Sequence, residues 1–317
     1  MALQDSVIFD ITNSFRSIPL LVFLAAAYLR ATRDVTVCRV IYGAFEARDE
    51  ANRSPVFDLT PFISLLNWLT ATNQFIYTGD ARYLAHLLTQ EGKARNSSSL
   101  RTAGAKLDEL SLAMMLCRPI EVMQKAGGLN RALAYAQNDL AQYTRPFALL
   151  VDRIEREYAD RALSEPVQNV EENLRKQLAL IHWYLGNNQV IQAMTLAREW
   201  VVTLTGWHLG QGFVLSRGDR ETIEHGLGGI ARMKRDGFTA DDLNQVGRAL
   251  WQEAETAAML QKLWNDIIRV RNELNHAGMN PGPMKANKLV RKAREQIGPT
   301  LDKLARAWGL TRSGGNL

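Results

Sequence analysis

Residues 7–42, VIFDITNSFRSIPLLVFLAAAYLRATRDVTVCRVIY, decide the fold at the start of the chain. Two short β-branched runs, Val7–Thr12 (VIFDIT) and Val35–Tyr42 (VTVCRVIY), bracket the apolar run Ile18–Leu29. This order predicts strand, turn, helix and strand, and two strands joined by a crossover helix should be parallel. Neither strand alternates cleanly with polar residues, which predicts burial on both faces. The twelve apolar residues from Ile18 to Leu29 fall well short of the roughly 20 that span a bilayer. Asp5 and Asp10 precede them in place of a basic signal-peptide opening, so the run is expected to be a buried helix.

Beyond residue 59 the period changes. Phe62, Leu65, Leu66 and Leu69 recur at helical spacing, and Pro61 suits a first helical turn. Gly92–Ser99 (GKARNSSS) reads as an exposed loop, and Gly127-Gly128 as a break before a long helical region from Leu129 to Trp200. Gln189–Trp200 resembles one helix of a repeat hairpin, but no second copy follows at a fixed period. Eight glycines between Gly206 and Gly237 predict a loop-rich insertion, which lacks the GK[ST] of a phosphate-binding loop. The fold class expected is mostly α: a partial α/β, Rossmann-like unit at the N-terminus, then an all-helical domain.

Composition narrows the function classes. A chain of 317 residues, 46% hydrophobic and 22% charged, can bury one or two cores and is neither fibrous nor disordered. A net charge of +5 is compatible with a polyanionic partner without requiring one. Cys38 and Cys117 form no CxxC pair and no disulfide framework, which fits a reducing cytoplasm. There is no HExxH, paired CxxC or EF-hand loop, so no metal site is expected.

The candidate chemistry lies near the C-terminus. Leu260–Leu274 (LQKLWNDIIRVRNEL) has apolar residues at 260, 263, 264, 267, 268, 270 and 274, a helical stripe that Arg271 interrupts. A guanidinium there needs compensation. Asn272 and His276 stand at i and i+4 on a shared flank, and Gly278 and Pro281 end the helix. An imidazole among the free carbonyls of a last turn suits acid–base work near neutral pH. The plain alternative is an arginine paired with a core carboxylate and a histidine that only ends a helix.

Arg271-Asn-Glu-Leu-Asn-His276 resembles the R-N-x-x-x-H signature of HEPN ribonucleases. Asp10-Ile-Thr-Asn-Ser-Phe-Arg16 resembles the D-x-T-x-G-x-R strand-to-helix turn of CARF domains, which sense cyclic oligoadenylate. Tyr42–Glu46, Phe57–Pro61 and Thr78–Asp80 also look like that branch. Together they resemble a type III CRISPR-associated CARF-HEPN ribonuclease. The resemblance implies a partial CARF-like sensor over 1–130, and a helical linker with a HEPN ribonuclease domain over 131–317.

It further implies metal-independent cleavage of single-stranded RNA, leaving a 2′,3′-cyclic phosphate and a 5′-OH. Arg271 would hold the scissile phosphate, His276 would handle protons and Asn272 would orient either of them. Paired HEPN domains would use the Leu260–Leu274 stripe as an interface, making the protein a homodimer or higher homo-oligomer. Asp10, Thr12, Asn13, Ser14 and Arg16 would bind cyclic oligoadenylate as an allosteric activator, with no other cofactor. Lys285, Lys288, Arg291, Lys292 and Arg294 would hold RNA backbone.

Two departures stand out: Ser14 replaces the family's glycine, and only nine residues precede Asp10. The second predicts an incomplete sheet whose missing strands come from elsewhere. The alternative readings are a non-catalytic HEPN or CARF module for nucleotide binding or dimerisation, and a CARF-linked DNA-binding regulator. No winged-helix element is visible in the sequence to support the latter.

Overall fold

The computed structural model of the protein describes residues 6–12, 18–33, 35–233 and 238–310. Strand β1 (Ser6–Asp10), helix α1 (Ile18–Arg33) and strand β2 (Thr36–Gly43) form the expected β-α-β unit, with β1 and β2 parallel. A third strand, β3 (Val56–Asp58), pairs antiparallel on the other side of β2, in the order β1-β2-β3. The remaining elements are α2 (Thr60–Thr78), α3 (Arg82–Ala94), α4 (Ser98–Met115), α5 (Pro119–Tyr143), α6 (Arg145–Tyr158), α7 (Val170–Gly186) and α8 (Val190–His208). They continue with α9 (Arg217–Arg232), α10 (Gln245–Gln252), α11 (Ala254–Asn275), α12 (Ala286–Lys292) and α13 (Gly298–Ala307). The described residues are mostly helical with one small sheet.

Two cores result. A large one runs from Trp68 to Leu310 through α2–α13, and a small one joins Ile11, Ala26, Val40 and Ile63. Helix α2 contributes to both, so the small sheet unit is tied to the helical body through that helix. Residue 130, where a domain division was expected, lies inside α5.

The sheet is covered on one face only, against the expectation of burial on two. Phe9 and Val40 face α1 and α2, whereas Ile8 is 61% exposed, and Cys38 and Arg39 are exposed too. Both helices pack on the same side, so among the described residues nothing covers the other. Helix α1 is correspondingly buried on one side only: Ala26 faces the small core, whereas Leu21, Leu24 and Tyr28 are exposed. On α2 it is Ile63, Trp68, Ala71 and Phe75 that turn inward, leaving Phe62, Leu65 and Leu69 in solvent.

Three stretches expected to be loose are more ordered than their composition suggests. Gly127-Gly128 lies within α5, held helical by Val122, Met123, Ala126 and Leu129 on its buried face. Gly92–Ser99 contains a tight helix–helix turn rather than a loose loop: Asn96 takes a left-handed φ of 53°, and buried Ser97 and Ser99 both bond Asp139. The glycine-rich stretch holds a full helix, α9. A Cβ at Gly226 would sit 2.7 Å from Val246 Cγ1 of α10, and one at Gly229 2.7 Å from Leu243 Cδ2 just before it, so these glycines let α9 press against α10 and the segment leading into it. The region 129–200 is helical as expected, divided among α5, α6, α7 and α8.

Candidate functional site

Helix α11 buries Leu260, Leu263, Trp264, Ile267 and Val270 against the large core. The stripe expected to form a dimer interface is thus consumed within the chain, because α8, α9 and α13 pack on it. The opposite side is polar. Asn265, Asp266, Arg269, Asn272, Glu273 and His276 line a cleft of about 460 Å³, with Ile268 and Asn280 completing it.

His276 is the residue on which α11 ends. Its backbone N–H bonds the Asn272 carbonyl at 2.9 Å, and its own carbonyl accepts from Met279 N–H at 2.8 Å. Ala277 and Gly278 then take left-handed φ values of 51° and 72°, which turns the chain off the helix axis. Glu273 fastens the loop that follows: Asn280 Nδ2 donates to one carboxylate oxygen at 3.1 Å and Met284 N–H to the other at 3.0 Å. The Met284 amide, then the Asn280 side chain, hold the Glu273 carboxyl below the ordinary glutamate range, with Arg269 and His276 adding to the effect. Asp266 pairs with Lys292 of α12 at 2.5 Å across the cleft wall.

The structure brings Asn272 and His276 into one cleft and leaves Arg271 out of its lining. Five residues at about 100° each set Arg271 about 140° round the helix from His276. Arg271 follows the buried stripe instead. It is half-buried, and its Nε is fully enclosed without a hydrogen-bond acceptor among the described residues. Leaving such a donor unpaired costs roughly 1–3 kcal/mol. The arginine that does line the cleft is Arg269, which the motif reading missed. Its signal was present in the spacing of Asn265, Arg269, Asn272 and His276, a polar stripe at steps of four, three and four.

At the expected ligand turn, Asp10 and Thr12 are described, whereas Asn13, Ser14 and Arg16 lie outside the described residues. Thr12 N–H donates to Asp10 Oδ1 at 2.9 Å, and Gly43 N–H of β2 donates to Thr12 Oγ1 at 2.8 Å. Hydrogen bonds from Thr12, side chain first and backbone second, hold the Asp10 carboxyl below its ordinary value. A Cβ at Gly43 would approach Thr12 Cγ2 to 2.9 Å, so the turn is packed directly on β2.

The same device recurs at β3. Thr60 N–H donates to Asp58 Oδ1 at 2.9 Å, and Val40 N–H donates to Thr60 Oγ1 at 3.0 Å. Asp10 and Asp58 both pair in register with Ile41, from opposite sides of β2. Thr12 and Thr60 therefore brace the sheet whatever else they do.

The basic stretch after the motif divides in two. Lys292 is held by Asp266, and Arg294 donates to the Leu185 and Gly186 carbonyls at 2.7 and 2.8 Å, so both are structural. Lys285, Lys288 and Arg291 are exposed. Arg294 sits in a π-helical turn, Ala293–Ile297, immediately before Gly298-Pro299, where the proline supplies no N–H to continue α-helical pairing. Among the described residues no cluster of three or more His, Cys, Asp or Glu is placed to hold a metal ion, and no helix is long and apolar enough to cross a membrane.

Comparison with known proteins links the chain to CRISPR-associated proteins. Residues 64–181, from α2 into α7, match the family described as CRISPR-associated protein MJ1674, second domain. CRISPR-associated protein MJ1674 of Methanocaldococcus jannaschii is 32% identical over 89 residues, which are 28% of this chain and 14% of that protein's length. The family match lies between the two candidate sites: the strand turns at Asp10 and Asp58 precede it and the α11 cleft follows it.

Proposed function

We propose that the protein is a metal-independent endoribonuclease of type III CRISPR antiviral defence, built on CARF and HEPN domains and activated by cyclic oligoadenylate. The observation that carries this reading is the cleft at the end of α11, where Asn272 and His276 of an R-N-x-x-x-H segment share one solvent-accessible wall. The similarity of residues 64–181 to a CRISPR-associated protein supports the biological setting.

In the proposed reaction the 2′-oxygen bonds to phosphorus as the P–O5′ bond breaks, leaving a 2′,3′-cyclic phosphate and a 5′-OH. One proton leaves the 2′-OH and one must reach O5′. A single His276 can serve one of these transfers, and two copies brought together in a homodimer would serve both. Asn272 would orient the imidazole or the phosphate. Arg271, half-buried and round the helix from His276, would reach the phosphate through the terminal nitrogens of its guanidinium rather than its enclosed Nε, and stabilise charge developing there. Such a dimer would use the polar side of α11, since the apolar side is already packed.

The displacement of Arg271 from the cleft favours a second reading, a non-catalytic HEPN or CARF module that binds nucleotide or mediates dimerisation. One assay separates the two: purified protein with labelled single-stranded RNA in EDTA, with and without cyclic tetra- or hexa-adenylate. Cleavage to cyclic-phosphate ends, stimulated by one ring and lost in His276→Ala, is the expected result. Binding of RNA or oligoadenylate without any cleavage would establish the second reading in its place.

A further inference from the structure

We infer that Arg269 is a phosphate-binding residue of the α11 cleft, holding single-stranded RNA at a phosphate beside the one that faces His276. The inference rests on reading this cleft as an RNA site and adds a residue outside the R-N-x-x-x-H segment. Arg269 lines the same cleft as Asn272 and His276 and is exposed. Seven residues at about 1.5 Å each place it about 10 Å along the helix axis from His276, on nearly the same side. That offset suits a neighbouring phosphate rather than the scissile one.

The electrostatics of the cleft favour this arginine over its neighbours. Asp266 is neutralised by Lys292 at 2.5 Å. Both oxygens of Glu273 already accept bonds, from Asn280 and Met284, and its charge acts on Arg269 without an ion pair closing between them. Among the described residues the Arg269 side chain makes neither a hydrogen bond nor a salt bridge. A guanidinium presented at a cleft wall with its donors uncommitted is suited to bidentate contact with a phosphate. Arg271, the other arginine of the segment, has its Nε enclosed away from the cleft.

The test measures binding of a 2′-O-methyl single-stranded RNA, which cannot be cut, by fluorescence anisotropy over a range of salt. Arg269→Ala should weaken binding about 5- to 10-fold and lower the slope of log affinity against log salt by about 0.7, the value of one single-strand phosphate contact. Arg269→Lys should keep most of the slope, because it keeps the charge. Neither change should move the melting temperature, since Arg269 is exposed and lies outside the buried stripe of α11. Wild-type affinity and slope in Arg269→Ala, or no RNA binding by the wild-type protein, would overturn the inference. RNA that is bound through Arg269 but never cut would leave it standing while removing the ribonuclease reading.

Discussion

His276, Asn272 and Arg271 differ in how much of the fold depends on them, and their variants should separate accordingly. His276 is exposed at a helix end and its side chain makes no hydrogen bond among the described residues. His276→Ala should therefore nearly abolish RNA cleavage while leaving the helical circular dichroism and melting temperature unchanged. Asn272→Ala should cost less activity. Arg271→Ala should also nearly abolish cleavage, through loss of the group proposed to stabilise the phosphate. Wild-type rates in either His276→Ala or Arg271→Ala, with contaminating nuclease excluded, would remove that residue from the mechanism. Sequence spacing placed Asn272 and His276 together correctly because i and i+4 always share a helix flank. Arg269 stands outside the 271–276 segment, and only the longer polar stripe of α11 assigns it to the same cleft.

Helix ends and helix contacts carry the next set of outcomes. The Glu273 carboxylate staples residues 280 and 284 to α11, and its folded pKa lies below the ordinary glutamate value near 4.5. A depressed carboxyl contributes stability that is present above that value and lost as pH falls through the folded pKa. Hydrogen exchange at the Met284 amide should accordingly be slow at neutral pH and speed up selectively below about pH 4.5, beyond the intrinsic pH trend. Glu273→Gln should show faster exchange already at neutral pH. Exchange that follows only the intrinsic trend would contradict the staple.

The contact of α9 with α10 offers a second measurement. Gly226→Ala puts a methyl 2.9 Å from Gly247 N, a backbone atom, as well as 2.7 Å from Val246, and should cost about 1–3 kcal/mol. Gly228→Ala, on the same helix with nothing within 4 Å, should stabilise by about 1 kcal/mol. Equal effects in thermal melts would mean that α9 does not press on α10 as described. Glycine is a poor helix former in isolation, so a glycine-rich stretch predicts loop. Here close packing against α10 outweighs that propensity.

For the whole molecule, the question is what the exposed apolar surface does. Leu24 on α1 and Leu65 on α2 are 57% and 42% exposed. Replacing both by lysine should reduce aggregation in light scattering and leave the melting of the helical body unchanged, because neither residue belongs to the large core. A lowered melting temperature would show that this surface supports the folded chain. Light scattering of the unmodified protein should also give at least a dimer, with polar-face substitutions on α11 weakening it. A strict monomer that still cuts RNA at low concentration would contradict the paired His276 site.

The amino-acid sequence by itself determined the mostly helical class, the parallel β-α-β opening and the flank shared by Asn272 and His276. Each of these follows from local periodicity: β-branched runs, a crossover helix, and i to i+4 spacing. The third strand at Val56–Asp58 carried a local signal too, since FDLT repeats the FDIT of the first strand and folds by the same Asp–Thr turn. Tertiary structure alone decided which side of each apolar element is buried. It turned Leu65 and Leu69 outward and Ile63 and Trp68 inward, spent the stripe of α11 inside the chain, and drew Lys292 and Arg294 out of the basic surface into structural bonds. Those outcomes depend on partners distant in sequence, such as Asp266 for Lys292 and the Leu185 carbonyl for Arg294. A periodic pattern states that an element has two sides, and only the elements packed against it settle which side meets water.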